Sequence, residues 1–401
     1  MTGDEMMDAE ETKPSEEGRF LPEICTETIV FPCVFIGFFA LFAVKMGTAN
    51  ALNTMMNTAY RLLIDTVLYI TAVCVLMGAV SALLSEFGFV SLANRLLQPL
   101  MKPLFGMPGA AALGVVTTFL SDNPAILSLA EDSHFRHYFR KYQFPALTNL
   151  GTAFGMGMIV CTYMYSLSAQ MGVSLGRAVA AGLAGAVIGS IVSTRLMLRC
   201  TRKYYGAEAE DTFRKEVSAI PAGMRPVRTG GIGSRVITAV LEGGKGGVKM
   251  GMSIIPGVLV ICTLVMMLID GPSADGTYTG GAYEGIRLLP IIASKLDFII
   301  RPLFGFSSPE AIGVPVTALG AAGAALSLTS SLVRQSLVSA QDIAVFTAMC
   351  MCWSGYLSTH ASMMDSLECR PLISKAILSH TAGGIAAGIA AHWICLLMGL
   401  F

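Results

Sequence analysis

The chain has 401 residues, of which 54% are hydrophobic and only 13% are charged. Soluble domains carry about 25% charged residues. The composition therefore excludes an ordinary soluble protein and predicts a polytopic membrane protein surrounded by the lipid bilayer. The formal net charge is zero, which argues against a nucleic-acid partner.

The sequence carries no signature of an enzyme or of a metal centre. The HExxH, GxSxG and P-loop patterns are absent, and the ten cysteines lie scattered in apolar runs without a CxxC pair. We therefore predict that the chain is not an enzyme and that it holds no cofactor and no structural metal.

The N-terminal part contains one predicted span. Residues 1–24 are acidic and polar, and they lack the basic start and short apolar core of a signal peptide, so we predict a disordered tail. Residues 25–61 are predicted as an extra unit, with a span at about 28–44 and an interfacial segment at about 46–60.

A stretch of 28 residues then occurs twice. Lys102–Leu129 reads KPLFGMPGAAALGVVTTFLSDNPAILSL, and Arg301–Leu328 reads RPLFGFSSPEAIGVPVTALGAAGAALSL. The two copies align without a gap at a constant offset of 199, and PLFG matches letter for letter. A period near 200 is too long for a solenoid array, so we interpret the copies as parts of two related half-molecules.

Each copy is interrupted in its middle, at 121–124 (SDNP) in the first and at 320–323 (GAAG) in the second. In the first copy the helical arms on either side have 15 and 10 residues. At about 1.5 Å per residue such arms reach the middle of a hydrocarbon core about 30 Å thick but do not cross it. We therefore predict two re-entrant hairpins whose tips lie near the midplane, buried in protein or beside a wet cavity.

The hairpins divide the chain into two halves, 62–198 and 250–401, joined by a basic connector at 199–249. The seven predicted spans are 28–44, 62–84, 145–168, 174–198, 250–268, 343–363 and 372–398. Each half has three crossings and one hairpin. Because three is odd, the two halves must have opposite orientations.

The connector has ten lysines and arginines against five acidic residues, so the positive-inside rule predicts that it is cytoplasmic. Inverted repeats with discontinuous helices at the midplane are typical of secondary transporters. We predict an all-α polytopic protein of the cell (inner) membrane, built from two inverted repeats, with about seven transmembrane helices and two hairpins.

The paired PLFG-bearing hairpins, each followed by two spans, resemble the nucleoside-recognition (Gate) domain family. Its relatives include the concentrative nucleoside transporters and the membrane gate of the ferrous-iron permease. The resemblance covers roughly 62–398. It implies a substrate held between the two hairpin tips and the broken helices after them, and a transport unit that moves against a scaffold. Family members often associate, so a homo-oligomer is an expectation.

Asp122 is the most informative candidate for the solute site. A carboxylate at membrane depth costs about 2.5 to 3.5 kcal/mol, so such groups usually face a cavity and serve function. Asp122 could also cap the half-helix that follows it, and the two interpretations are compatible. In the first, Thr118, Ser121 and Asn123 supply uncharged contacts to the solute.

The second tip offers Thr317 and Ser327, and close backbone approach at Gly320. Packing against a neighbouring helix explains this glycine equally well. Asn149 and Thr152 lie one turn apart on the span after the first hairpin. They are candidate contacts, although close packing of the small residues around them is the alternative.

The span at 343–363 is unusually polar, with Ser354, Ser358, Thr359 and His360 close together. It could unwind and expose carbonyl groups to a coupling ion, or its hydroxyls could make hydrogen bonds between helices. His360 or a buried Asp122 could carry a coupling proton. Sodium or a proton is therefore the expected coupling ion.

The predicted function is secondary transport of a small polar solute, with import driven by a sodium or proton gradient. The resemblance implies a nucleoside or nucleobase, and a small organic acid is the alternative solute. The alternative class is a membrane assembly or signalling component that keeps the fold without transport.

Overall fold

The computed structural model describes residues 22–123, 125–131, 133–136, 138–207, 227–253, 255–273 and 275–399. All regular elements within these ranges are helical. The prediction of an all-α membrane protein is therefore confirmed. The N-terminal tail predicted at 1–24 lies almost wholly outside the described residues.

The helices before the connector are α1 (Thr26–Met46), α2 (Thr48–Arg61), α3 (Leu68–Glu86), α4 (Phe89–Leu100), α5 (Ala111–Leu120), α6 (Ala125–Glu131), α7 (Ser133–Arg136), α8 (Ala146–Thr152), α9 (Gly157–Ser166), α10 (Ser168–Met171) and α11 (Gly176–Tyr205). Those after it are α12 (Ile232–Ser253), α13 (Thr263–Ile269), α14 (Leu288–Lys295), α15 (Asp297–Phe304), α16 (Gly313–Gly320), α17 (Ala322–Arg334), α18 (Ala340–Trp353), α19 (Tyr356–Ser366) and α20 (Ile373–Leu397). Turns of π-helix at Leu62–Val67, Met101–Phe105 and Gly257–Cys262, and of 3-10 helix at Pro309–Ile312 and Arg370–Leu372, join some of them.

Six helices in the described ranges are long and apolar enough to cross a membrane. Seven spans were predicted. The difference is the span at 343–363, which the structure divides into α18 and α19. Ser354 and Gly355 adopt left-handed backbone angles, with φ of 39° and 71°, and two such residues in a row end a right-handed helix.

The segment predicted as interfacial, 46–60, is not separate from the span that follows it. α2 continues through the π-helical turn Leu62–Val67 into α3, so that Thr48–Glu86 is a single helix of 39 residues. The sequence of the turn, LLIDTV, contains neither glycine nor proline, so nothing local ends the helix there.

The connector is also shorter than predicted. α11 continues to Tyr205, and α12 already begins at Ile232, within the range 199–249. The glycines of this part of α12 permit a close approach to α3: a Cβ atom at Gly78 would lie 2.4 Å from the carbonyl oxygen of Gly243. Tertiary packing therefore stabilises a helix that glycine would otherwise weaken.

Equivalent helices of the two halves run antiparallel. Between α11 and α20, Gly185 contacts Ala391, Gly189 contacts Ala387 and Ser193 contacts Gly383. Residue numbers therefore rise along α11 as they fall along α20. α3 and α12, which pack together but are not related by the offset of 199, also run antiparallel, from the Gly78–Gly243 contact to the contact of Thr71 with Gly251. The two halves are therefore inverted relative to each other, as predicted.

Each repeated stretch consists of two helices that fold back on each other. In hairpin 1 (α5 and α6), a Cβ atom at Gly114 would lie 2.5 Å from Ile126 Cδ1. In hairpin 2 (α16 and α17), one at Gly313 would lie 3.1 Å from Leu328 Cδ2. Both helix breaks fall inside the predicted intervals. The depth of the two tips in a bilayer stays a prediction.

The close contact between α11 and α20 gives a stability test. A Cβ atom at Gly189 would lie 2.5 Å from the Gly383 carbonyl oxygen and 2.5 Å from Ala387 Cβ. Gly189→Val should therefore destabilise the protein by about 1 to 3 kcal/mol through overpacking, measured as thermal unfolding in detergent. Gly37→Val is the matched control, because no heavy atom lies within 4 Å of a Cβ at Gly37. Equal melting of the two variants would contradict the close packing.

Candidate functional site

Hairpin 1 and the interruption between α18 and α19 are joined by a long-range hydrogen bond. The side-chain nitrogen of Asn123, at the hairpin tip, donates to the backbone carbonyl of Ser354 at 2.8 Å. The Ser354 carbonyl belongs to the end of α18, where carbonyl groups lose their intrahelical partners. The tip of hairpin 1 therefore satisfies a group that the helix break leaves free.

Hairpin 2 meets the same interruption from its own tip. The backbone N–H of Gly355 donates to the carbonyl of Ala318 at 2.9 Å. A Cβ atom at Gly355 would lie 3.1 Å from the carbonyl oxygen of Gly320. The backbone of Gly320 therefore packs against Gly355, and a contact of Gly320 with a solute stays a prediction.

The interruption between α8 and α9, at 153–156, completes the junction. The Ser354 hydroxyl lies 3.3 Å from the Gly155 carbonyl, to which it donates. The Asn123 side chain lies directly against Gly155, because a Cβ atom there would overlap its Oδ1 at 1.4 Å. We call this meeting of two hairpin tips and two helix interruptions the junction.

Neither Gly155 nor Met156 was predicted as a site residue, although the repeat offset relates both to the second interruption. Met156 is left-handed, with φ of 55°, and an offset of 199 leads from it to Gly355, with φ of 71°. The same offset leads from Gly155 to Ser354. Because the span at 343–363 was expected to unwind, applying the offset to the spans transfers that expectation to 155–156.

The junction contains polar atoms that have no hydrogen-bond partner among the described residues. Asn123 Oδ1 is such an atom at the junction itself, and Thr317 Oγ1 is another on α16, one residue before Ala318; both residues are buried. Nearly all buried polar groups in proteins are paired, and an exception points to a missing water, ion or ligand. The junction can therefore accept a hydrogen-bond donor or a cation from outside the chain.

Ser121 and Asp122 lie beside the junction and are half-buried. The Asp122 carboxylate accepts a hydrogen bond from the Asn123 backbone N–H at 2.7 Å. Asp122 therefore stabilises the turn at the hairpin tip. Its other carboxylate oxygen has no hydrogen-bond partner among the described residues. Ser121 lines a cavity between hairpin 1, α3 and α4.

Three of the predicted hydroxyl contacts bond to carbonyls of their own helices. Thr118 donates to Gly114 at 2.9 Å and Ser327 to Gly323 at 3.0 Å. Thr359 approaches the carbonyl of Gly355 at 3.4 Å. Such back-bonding uses the one hydroxyl proton, so in this arrangement these residues offer a solute only acceptor lone pairs. The side chain of Ser358 lies outside what the structure describes.

Asn149 and Thr152 are buried on α8, but they contact different helices. The Asn149 amide donates to Ser193 Oγ at 3.0 Å and to the carbonyl of Ala376 at 3.1 Å. Thr152 approaches the sulfur of Met363 at 4.0 Å. Asn149 therefore connects α8 to α11 and α20 and makes no described contact to either hairpin tip.

The hydrogen bonds of Asn149 continue to a histidine that sequence analysis did not select. Ser193 Oγ lies 2.8 Å from His380 Nδ1, and His380 Nε2 lies 2.6 Å from the Cys352 carbonyl. Because a carbonyl only accepts, Nε2 carries the proton and Nδ1 accepts from Ser193.

His360, a predicted site residue, is buried beside His380 with ring centroids 4.5 Å apart. Neither ring nitrogen of His360 has a partner among the described residues.

Asp270, just after α13, is a second acidic group that sequence analysis missed. Its side chain is 8% exposed, and its Oδ2 has no hydrogen-bond partner in the described ranges. Burial raises the pKa of Asp270 to about 7, and the nearby Arg287 does not offset this. Arg287 instead pairs with Glu310 at the start of hairpin 2, at 2.8 Å.

No group of three or more possible metal ligands occurs in the part of the chain that the structure describes. The coupling ion therefore stays a prediction.

Solved structures of CNTnw, a concentrative nucleoside transporter, share this fold. An outward-facing state matches with a TM-score of 0.53 and 16% identity, over 93% of this chain and 85% of that chain. An inward-facing substrate-bound state gives 0.51 and 14%, over 93% and 84%, and an intermediate state gives 0.51 and 15%, over 92% and 86%. At this identity the likeness shows a common fold.

No protein-family model and no curated protein sequence matches the chain. The link to the Gate domain family and to the ferrous-iron permease therefore stays a prediction that rests on the repeated motif.

The raised pKa of Asp270 gives a pH test. The folded state holds this proton up to about pH 7, whereas an unfolded aspartate loses it near pH 4, so wild-type stability falls as the pH rises through that window. Asp270→Asn should therefore melt at a higher temperature than wild type at pH 8, and the difference should shrink towards pH 5. Asp275→Asn, an exposed residue of the same loop, is the control and should not raise the melting temperature. Equal melting of Asp270→Asn and wild type at pH 8 would contradict the assignment.

Proposed function

We propose that the protein is a secondary transporter of a small polar solute, and that the junction forms its solute site. The single observation that carries this proposal is the convergence of two hairpin tips and two helix interruptions. Asn123 and Ser354, which make its central hydrogen bond, are 231 positions apart. Irregular backbone inside a membrane is tolerated only in protein or beside a wet cavity, and transporters with inverted repeats bind solutes at such places.

The fold supports the same conclusion. The likeness to CNTnw extends over 93% of the chain and includes inward-facing and outward-facing states of that protein. One of its structures is described as substrate-bound. We infer a nucleoside or a nucleobase as the solute class, from this likeness and from the PLFG-bearing repeat.

The polarity of the junction favours a neutral solute over a small organic acid. Its described contacts come from an amide, a hydroxyl and backbone groups, at Asn123, Ser354, Gly155, Gly355 and Ala318. None of these residues is an arginine or lysine, the side chains that usually bind carboxylates. Asp122 beside the junction adds negative charge, which would repel an organic acid.

We further propose that a sodium ion or a proton drives import. The unpaired Asn123 Oδ1 is an oxygen ligand of the type that alkali cations prefer, and His360 and Asp122 are the candidate proton carriers. The proposed location is the cell inner membrane, with the connector in the cytoplasm, and a homo-oligomer is the proposed assembly.

A ligand screen tests the solute class. Purified protein is heated with nucleosides, nucleobases, carboxylates, amino acids and polyamines, each with and without sodium. A ligand at 100 times its dissociation constant should stabilise the folded state by about 2.7 kcal/mol. We expect stabilisation by nucleosides or nucleobases. Stabilisation by carboxylates alone would favour the organic-acid alternative, and no stabilisation by any class would favour an assembly or signalling component.

The role of Asp122 gives a second test. Asp122→Asn keeps the size and the local hydrogen bond but removes the charge, so it should abolish or uncouple uptake into proteoliposomes while the protein still inserts and melts as wild type does. The matched control is Asp297→Asn, at a half-exposed position paired with Arg301 at 3.3 Å, where uptake should not change. Wild-type rates in Asp122→Asn would remove Asp122 from the mechanism.

A further inference from the structure

A cavity of about 380 Å³ lies between hairpin 1, α3 and α4. Its volume falls within the range of about 300 to 1,000 Å³ that small-molecule sites occupy. Five hydroxyl-bearing residues from all three segments line it. These are Ser81, Ser85, Ser91, Thr117 and Ser121. The cavity thus extends to the tip of hairpin 1, next to Asp122.

The hydroxyls of this cavity have no hydrogen-bond partner among the described residues. Serine and threonine in a helix commonly donate to the carbonyl one turn earlier, as Thr118 does to Gly114 at 2.9 Å. None of the five lining hydroxyls makes such a bond, or any other, to an atom that the structure describes. Each can therefore donate one hydrogen bond and accept two.

An ion pair forms part of the cavity lining. Arg228, just after the connector, donates to Glu86 at the end of α3, with 2.7 Å between Nη1 and Oε2. Arg235 donates to the other carboxylate oxygen of Glu86, also at 2.7 Å. The Glu86 side chain is only 4% exposed, whereas that of Arg228 is 32% exposed. Arg228 also pairs with Glu242, away from the cavity, at 2.7 Å.

The two arginine partners of Glu86 differ in what their release would do to the protein. Releasing the Arg228 guanidinium leaves Glu86 paired with Arg235 and still accepting from the Arg228 backbone N–H at 3.2 Å, so the buried carboxylate keeps a cation and the fold keeps its support. The more exposed Arg228 side chain is then free to leave the cavity rim. The arrangement has the properties of a latch, with one fixed half and one movable half.

We propose that this cavity is a vestibule for a small, neutral, hydrogen-bonding solute, and that the Arg228–Glu86 contact is the latch at its outer end. The inference rests on the proposed transport function. A neutral solute follows from the lining, because the hydroxyls are uncharged and the rim charges of Arg228 and Glu86 neutralise each other. The vestibule connects the hairpin 1 tip with the connector side of the protein.

Thiol labelling of Thr117→Cys tests the latch without any transport assay. Inside-out vesicles are treated with a membrane-impermeant methanethiosulfonate, and labelling at 117 is followed by mass spectrometry of its peptide. The fully buried Cys350 supplies the slow reference rate. Arg228→Ala removes the bond to Glu86 together with both bonds to Glu242. It should raise the rate at 117 by about tenfold, the size expected for the loss of the one charge-assisted bond to Glu86. Glu242→Gln, which removes only the outer pair, is the matched control and should leave the rate unchanged.

Solute protection tests the vestibule in the same vesicles. Uridine is the probe, and it should slow labelling at 117 in Arg228→Ala. A rate at 117 as slow as that of Cys350 in every variant would overturn the vestibule, and equal rates in wild type and Arg228→Ala would overturn the latch. If uridine is transported but gives no protection, the vestibule as a solute site is wrong and the transport proposal stands. If no solute of the ligand screen is transported or protects, both proposals fail.

Discussion

The structure depends on one constraint, that backbone groups released by a helix break and buried away from water must find partners within the protein. Four segments of this chain break, and they satisfy one another. The Ser354 carbonyl accepts from Asn123, and the Gly355 N–H donates to Ala318. Each of these hydrogen bonds joins two different breaks, as does the bond from the Ser354 hydroxyl to the Gly155 carbonyl. The four segments therefore meet at one place. The candidate site is thus a consequence of hydrogen-bond satisfaction as well as of sequence repetition.

Small residues make this convergence sterically possible. Gly155 leaves room for the Asn123 side chain, and Gly355 permits the approach of the hairpin 2 backbone. Glycine also permits close backbone packing where Gly78 contacts Gly243 and where Gly189 contacts α20. Close backbone contact therefore holds both the junction and the paired, antiparallel helices around it, and transmembrane helices commonly associate in this way.

The direction in which each polar side chain points distinguishes residues that hold helices together from residues that can contact a solute. Thr117 and Thr118 are neighbours of the same type, yet Thr118 bonds to its own helix while Thr117 faces a cavity. Asn149 likewise supports a hydrogen-bonded connection that ends at His380, whereas Asn123 lies at the junction. A polar residue in a span is thus an incomplete sign of a solute contact, because helix-to-helix hydrogen bonds use the same residue types.

The sequence by itself determined the membrane class, the two halves, their inverted relation and the approximate places of the hairpin tips. These features depend on composition, on an offset of 199 and on local breaks in apolar runs, all of which are readable along the chain. Only the tertiary structure decided which groups meet: the Asn123–Ser354 bond, the turning of Asn149 towards α11 and α20, and the Arg228–Glu86 pair, whose members are 142 positions apart. Such contacts depend on which helices become neighbours and how each is rotated, and no local pattern in an apolar helix records that.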